Sequence, residues 1–114
     1  MTLALILFGV AALGGVLLAV KVFSGSQPPW PLSILHAALG AAGIISLLLA
    51  ISSTAFGGAA WVAFILFVVA ALGGFFLASF HARGQSHPKP VVVIHAGVAV
   101  LAFLLLAGIV AGIV

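Results

Sequence analysis

The chain has 114 residues, 67% of them hydrophobic, with three basic side chains, four histidines and no Asp or Glu. A water-facing domain carries charge on roughly a quarter of its residues. At 3% charged and a mean hydropathy of +1.60, this chain needs lipid as its solvent. Without carboxylates there is no Asp/Glu acid–base pair, no Ser-His-Asp triad and no carboxylate cage for calcium or magnesium. Without cysteine there is no disulfide and no thiolate metal site. The pI of 11.2 reflects missing acids rather than many bases, so nucleic acid is not an expected partner.

Four apolar runs follow one another: about 2–23, 31–52, 59–80 and 90–113. Each holds about 22 residues, which as a helix covers about 33 Å, the thickness of a hydrocarbon core. Transmembrane β-strands are excluded, because the runs lack alternation and are twice the required length. The first run ends in Ser24-Gly25-Ser26-Gln27-Pro28-Pro29, and Pro31 stands at the expected first turn of the second. Ser53-Thr54-Ala55-Phe56-Gly57-Gly58 separates the second and third runs. His81-Ala82-Arg83-Gly84-Gln85-Ser86-His87-Pro88-Lys89 closes the third, and Pro90 opens the fourth. The first run lacks the basic n-region of a cleaved signal peptide and is too long for its apolar core.

The chain also repeats itself without gaps. Residues 4–19, ALILFGVAALGGVLLA, align with 63–78, AFILFVVAALGGFFLA; at the same offset of 59, Gly25 meets Gly84, Pro31 meets Pro90 and His36 meets His95. The expected fold is all-α: a single four-span domain, 1–114, built from two tandem hairpin repeats, 1–55 and 60–114. Two spans per unit make the repeats parallel, related by an axis along the membrane normal. An inverted-repeat transporter would need an odd number of spans per unit. Lys21, Arg83 and Lys89 all fall at the loops joining spans 1–2 and 3–4. The positive-inside rule therefore puts loops 24–30 and 81–89 in the cytoplasm and both termini outside, as in a bacterial inner membrane.

His36 and His95 each lie five residues past a helix-starting proline, about 7–8 Å into the span. A lone intramembrane histidine ordinarily bonds a neighbouring carbonyl or reaches interfacial water. Two equivalent ones on diagonal spans of a pseudo-symmetric bundle can instead face the axis from opposite sides, which suits the two axial positions of one haem iron. Small residues follow on the same face: Gly40 and Gly43 after His36, Ala99 after His95. They suit a flat macrocycle, and equally the close helix packing common in membranes. Lys21, Arg83 and Lys89 are candidates to pair with haem propionates, or with phospholipid headgroups. His81 is expected at the membrane surface, with a third ligand or a quinone contact as its other readings; His87 is expected in water. Trp30 and Trp61 read as interfacial anchors.

The pattern resembles a small membrane b-type cytochrome, in which histidines on two helices of a four-helix unit clamp one non-covalent haem b. The resemblance rests on His36 and His95. It implies electron transfer beside other membrane redox subunits, with an electron carrier rather than a catalyst acting alone. The chain departs from diheme cytochromes, since no histidine lies near the outer ends of the spans. The small multidrug-resistance transporters share the length and span count but depend on a first-span glutamate, absent here. An accessory subunit of a photosynthetic or respiratory complex, with histidines on a chlorophyll-type pigment, is the other expectation.

Overall fold

The computed structural model describes residues 1–114. It is all helical: α1 Thr2–Phe23, α2 Trp30–Ser53, α3 Gly58–Ala82 and α4 Lys89–Val110. All four helices are long and apolar enough to cross a membrane. The molecule is 44 Å long and about half as wide, 21 by 19 Å, as four side-by-side helices require.

Local chemistry sets the helix ends. Pro31 and Pro90 occupy the first turns of α2 and α4, where a missing N–H costs nothing. α1 and α3 stop in the same hydrogen-bonded turn. Gly25 and Gly84 take left-handed φ values of 79° and 63°. Ser26 N–H then donates back to Lys21 O and Gln85 N–H to Phe80 O, satisfying carbonyls that the helix leaves unpaired. Gly112, at φ 72°, ends α4 in the same way, three residues before the hydropathy alone would. α3 runs two residues beyond its apolar stretch, so His81 lies in its last turn rather than in a loop. The hydroxyls of Ser52, Ser53 and Ser79 donate to carbonyls three or four residues back, which lets them sit on helices facing lipid.

The helices stand in ring order. α1 packs on α2 and α3 on α4 most extensively, α2 on α3 and α1 on α4 less so, and the diagonal pairs make no backbone approach. Side chains therefore fill the axis. In the half nearer the termini, the core is Ala4, Phe8, Leu47, Ile51, Ala60, Phe67, Ala102 and Leu106. Phe8 and Phe67 meet across the α1/α3 diagonal as stacked rings, centroids 3.5 Å apart and 2° from parallel. They occupy equivalent positions of the two repeats, as do the fully buried pairs Ala4/Ala63 and Leu47/Leu106. Along the spans the outer surface is largely apolar, with Leu13, Leu72 and Phe75 each about two-thirds exposed (69%, 64% and 65%). Only lipid solvates such a surface.

The symmetry gives way at Gly43, whose counterpart is Ala102. A Cβ at Gly43 would stand 2.7 Å from the Phe8 ring, so glycine here seats Phe8. Gly43→Leu is expected to break the Phe8–Phe67 stack and destabilise the bundle by about 1–3 kcal/mol, the usual range for overpacking. Unfolding of the detergent-solubilised protein by denaturant measures this; an unchanged midpoint would show that the stack tolerates displacement.

Candidate functional site

The half of the axis nearer the loops is filled from the other diagonal. His36 on α2 and His95 on α4 approach with ring centroids 6.2 Å apart and planes at 76°. Each ring is held by the other helix of its own hairpin. Nδ1 of His36 lies 2.8 Å from the Ala11 carbonyl oxygen of α1, and Nδ1 of His95 lies 2.7 Å from the Ala70 carbonyl oxygen of α3. A carbonyl only accepts, so each Nδ1 carries a proton and donates it.

The glycine pairs explain why those carbonyls are reachable. A helical side chain leans toward the N-terminus and covers the turn before it. Gly15 and Gly74 stand four residues after Ala11 and Ala70 and leave both carbonyls uncovered. A Cβ on Gly15 would come within 3.0 Å of Cε1 of His36, and one on Gly74 within 3.2 Å of Cε1 of His95. Gly14 and Gly73 similarly lie against the Cβ atoms of the two histidines. Interhelical hydrogen bonds in membranes contribute only about 0.6–1.7 kcal/mol each. These two bonds orient the rings more than they hold the bundle together.

The donor set restricts what can bind. No group of three or more His, Cys, Asp or Glu side chains converges anywhere in the structure. A bare ion needing four protein ligands has no seat here. Two imidazoles on one metal, bonded at about 2 Å with ring centres roughly 1 Å further back, stand about 6 Å apart. The 6.2 Å separation matches that figure. His36 and His95 are the two donors that approach each other here.

The other expected site residues divide. Gly40 lies one turn beyond His36 on the same face, and a Cβ there meets nothing within 4 Å; Ala99, its repeat equivalent, is half-buried. Gly43, expected on the cofactor face, instead receives Phe8, because the apolar core begins one turn further along α2. Arg83 is turned back onto α3, its Nε donating to Ser79 O at 3.1 Å and its guanidinium lying over Phe80. Lys21 is exposed at the end of α1. Lys89 lies over Phe23 and lines a polar cleft between the two loops with Ser26, Gln27, Ser86 and His87.

His81 departs most from expectation. It is only 6% exposed. Its ring stacks on Trp30, centroids 3.8 Å apart and 9° from parallel, and its Nδ1 lies 3.4 Å from Ser33 Oγ. Extension of α3 turns His81 inward onto α2, where Trp30 covers it rather than only anchoring the interface. His87 is half-buried, not fully in water, and its ring faces His81 at 5.7 Å. The joint appearance of Trp30, Ser33 and His81 at three positions where the other repeat has Lys89, Val92 and Val22 is the sequence signal for this cluster.

The chain matches no protein-family model, and neither the curated proteins nor the solved structures contain a significant match to it.

Burial and, secondly, the neighbouring His81 hold the His87 pKa below its usual value. Protons then bind the unfolded chain more readily, so this contribution to stability is full above the ordinary histidine pKa of about 6.5 and is lost as pH falls toward the folded value. Thermal unfolding in neutral detergent should show a midpoint that drops between about pH 7.5 and 5.5, less steeply in His87→Asn. Equal slopes in both proteins would remove His87 from the account.

Proposed function

We propose that this protein is a membrane b-type cytochrome that holds one haem b between His36 and His95 and transfers single electrons. The observation that carries the reading is the repeat-related pair of imidazoles, each fixed through Nδ1 to a backbone carbonyl, with ring centroids 6.2 Å apart. A donated Nδ1–H is the usual support for a histidine that ligates through its other nitrogen; it sets the ring's orientation and raises its basicity. Haem held by His36 and His95 would supply a one-electron ferric–ferrous couple, with both histidines spent on holding the iron.

The protein's own contribution is positional. Ala11 and Ala70 aim the two imidazoles, and the glycines keep the space beside them free of side chains. Lys21 and Lys89 are the cations available to the propionates, since Arg83 is engaged with its own helix. The apolar surface suits association with other membrane redox subunits, loops 24–30 and 81–89 facing the cytoplasm of a bacterial-type inner membrane. A pigment reading needs one macrocycle per histidine; rings this close on one axis favour a single shared metal.

Absorption spectra of the detergent-purified protein, oxidised and then reduced with dithionite, test this. The wild type should give a sharp, low-spin b-type α band, absent in both His36→Ala and His95→Ala, because one shared haem needs both. Gly15→Leu should lose the band by displacing His36. Gly40→Leu should keep the helical content of the apoprotein but lower its haem occupancy. A wild type that stays colourless after expression with ample haem overturns the proposal, and a chlorophyll-type spectrum replaces it with pigment binding.

A further inference from the structure

The two hairpins meet along two seams that the repeat makes equivalent, α2 against α3 and α1 against α4. Their loop ends differ. At the first, Trp30 lies across the seam and stacks on His81. At the second, the position equivalent to Trp30 is Lys89, and its Nζ stands 5.8 Å from the centre of the Phe23 ring. The counterpart of Phe23 is Ala82, so both members of this cation–ring pair belong to the α1/α4 seam alone.

Below that pair runs an open apolar groove of about 560 Å³, walled by Ala19 and Phe23 of α1 and by Val93, Gly97, Val100 and Leu101 of α4. The α4 residues follow one another at three- and four-residue steps and so share one face. From Val93 to Leu101 the helix rises about 12 Å, and Lys89 stands about 6 Å, one turn, before Val93. Half of a hydrocarbon core is about 15 Å deep, so the groove runs most of the depth of one leaflet. Above the pair lies the polar cleft between the loops, about 310 Å³, lined by Ser26, Gln27, Ser86, His87 and Lys89. Phe23 lines the groove and Lys89 lines the cleft, so the two spaces meet where the ammonium covers the ring. An ammonium, two hydroxyls and a side-chain amide can all donate to the oxygens of a phosphate. With no Asp or Glu in the chain, no carboxylate side chain competes for the charge of Lys89.

We propose that the α1/α4 seam binds one anionic phospholipid of the loop-side leaflet, with an acyl chain along the groove and the phosphate in the cleft on Lys89. Bulk lipid bathes every outer face of the spans. What sets this face apart is a cation held at the head of an apolar channel, with neutral donors beside it. The charge selects an anionic headgroup, because a zwitterionic one carries its own ammonium, which offsets the phosphate and is repelled by Lys89. A helix from a second copy would cover the apolar groove too, but it would bring no carboxylate side chain to Lys89. The haem reading does not enter: with Lys89 on a lipid, Lys21 remains for the propionates.

Native mass spectrometry of the detergent-purified, delipidated protein tests this, with dioleoylphosphatidylglycerol and dioleoylphosphatidylcholine added in separate titrations. The wild type should retain one phosphatidylglycerol about fivefold more tightly than phosphatidylcholine, the preference that one lysine at a membrane surface supplies. Lys89→Gln should remove that preference and leave the retention of phosphatidylcholine as it was. Gly97→Leu should weaken both lipids by filling the groove; a Cβ at Gly97 meets nothing within 4 Å, so the helix accommodates the change. Ala38→Leu, the equivalent position on the other seam, should bind as the wild type does. Circular dichroism of each variant checks that its helical content is intact. Equal retention of the two lipids by the wild type, or a preference that survives Lys89→Gln, overturns the proposal. Full phosphatidylglycerol binding in Gly97→Leu also overturns it, since the headgroup would then bind without the groove, as does a loss in Ala38→Leu. A dimer that excludes lipid and is dissolved by Gly97→Leu gives the seam to a second copy instead.

Discussion

An imidazole inside hydrocarbon has no water to bond, so it must find its partner within the protein. The partner here is a helix carbonyl that a glycine four residues later leaves uncovered. That arrangement occurs twice, Ala11 with Gly15 and Ala70 with Gly74, and it fixes the ring orientation, the tautomer and the spacing at the axis together. The hydrogen bond is modest in energy. Its importance is directional: Nδ1 is committed to the backbone and Nε2 is the only nitrogen left for chemistry.

Duplication then makes a pair from a single device. Parallel hairpins related by an axis along the bundle bring equivalent residues to opposite sides of one line. The two diagonals share that line by dividing its length. α1 and α3 fill the half nearer the termini with stacked phenylalanines, while α2 and α4 fill the half nearer the loops with histidines. Gly43 shows how closely the two are matched, since the Phe8 ring occupies the space its Cβ would take.

The charged side chains of the molecule stand at one end. The cations Lys21, Arg83 and Lys89, the loop cleft, and the His81 corner all gather where α1 and α3 end and α2 and α4 begin. The other half holds an apolar core. The side chains of the His81 corner, Trp30, Ser33 and His81, each occur in one repeat only. The symmetric residues form the proposed binding site, and the asymmetric ones form the polar corner at the loop end.

The sequence by itself determined the helical class, the four spans, the loop ends and the twofold repeat. Those depend on local properties: apolar runs long enough for a bilayer, prolines that open helices, glycines that end them, and a constant offset of 59. It also singled out His36 and His95, because a repeated polar residue in hydrocarbon is conspicuous. Tertiary structure alone decided what each small residue faces. Gly15 and Gly74 uncover a carbonyl, Gly43 receives a ring and Gly40 faces open space, although all four read alike in a membrane helix, where glycine is common. It also decided the place of His81. Hydropathy ends α3 at Phe80, but the helix continues while backbone bonds are available and stops only where Gly84 turns left-handed, carrying the histidine inward beneath Trp30. The facing of a side chain depends on helix rotation and on the neighbouring helix, and neither is a property of a single span.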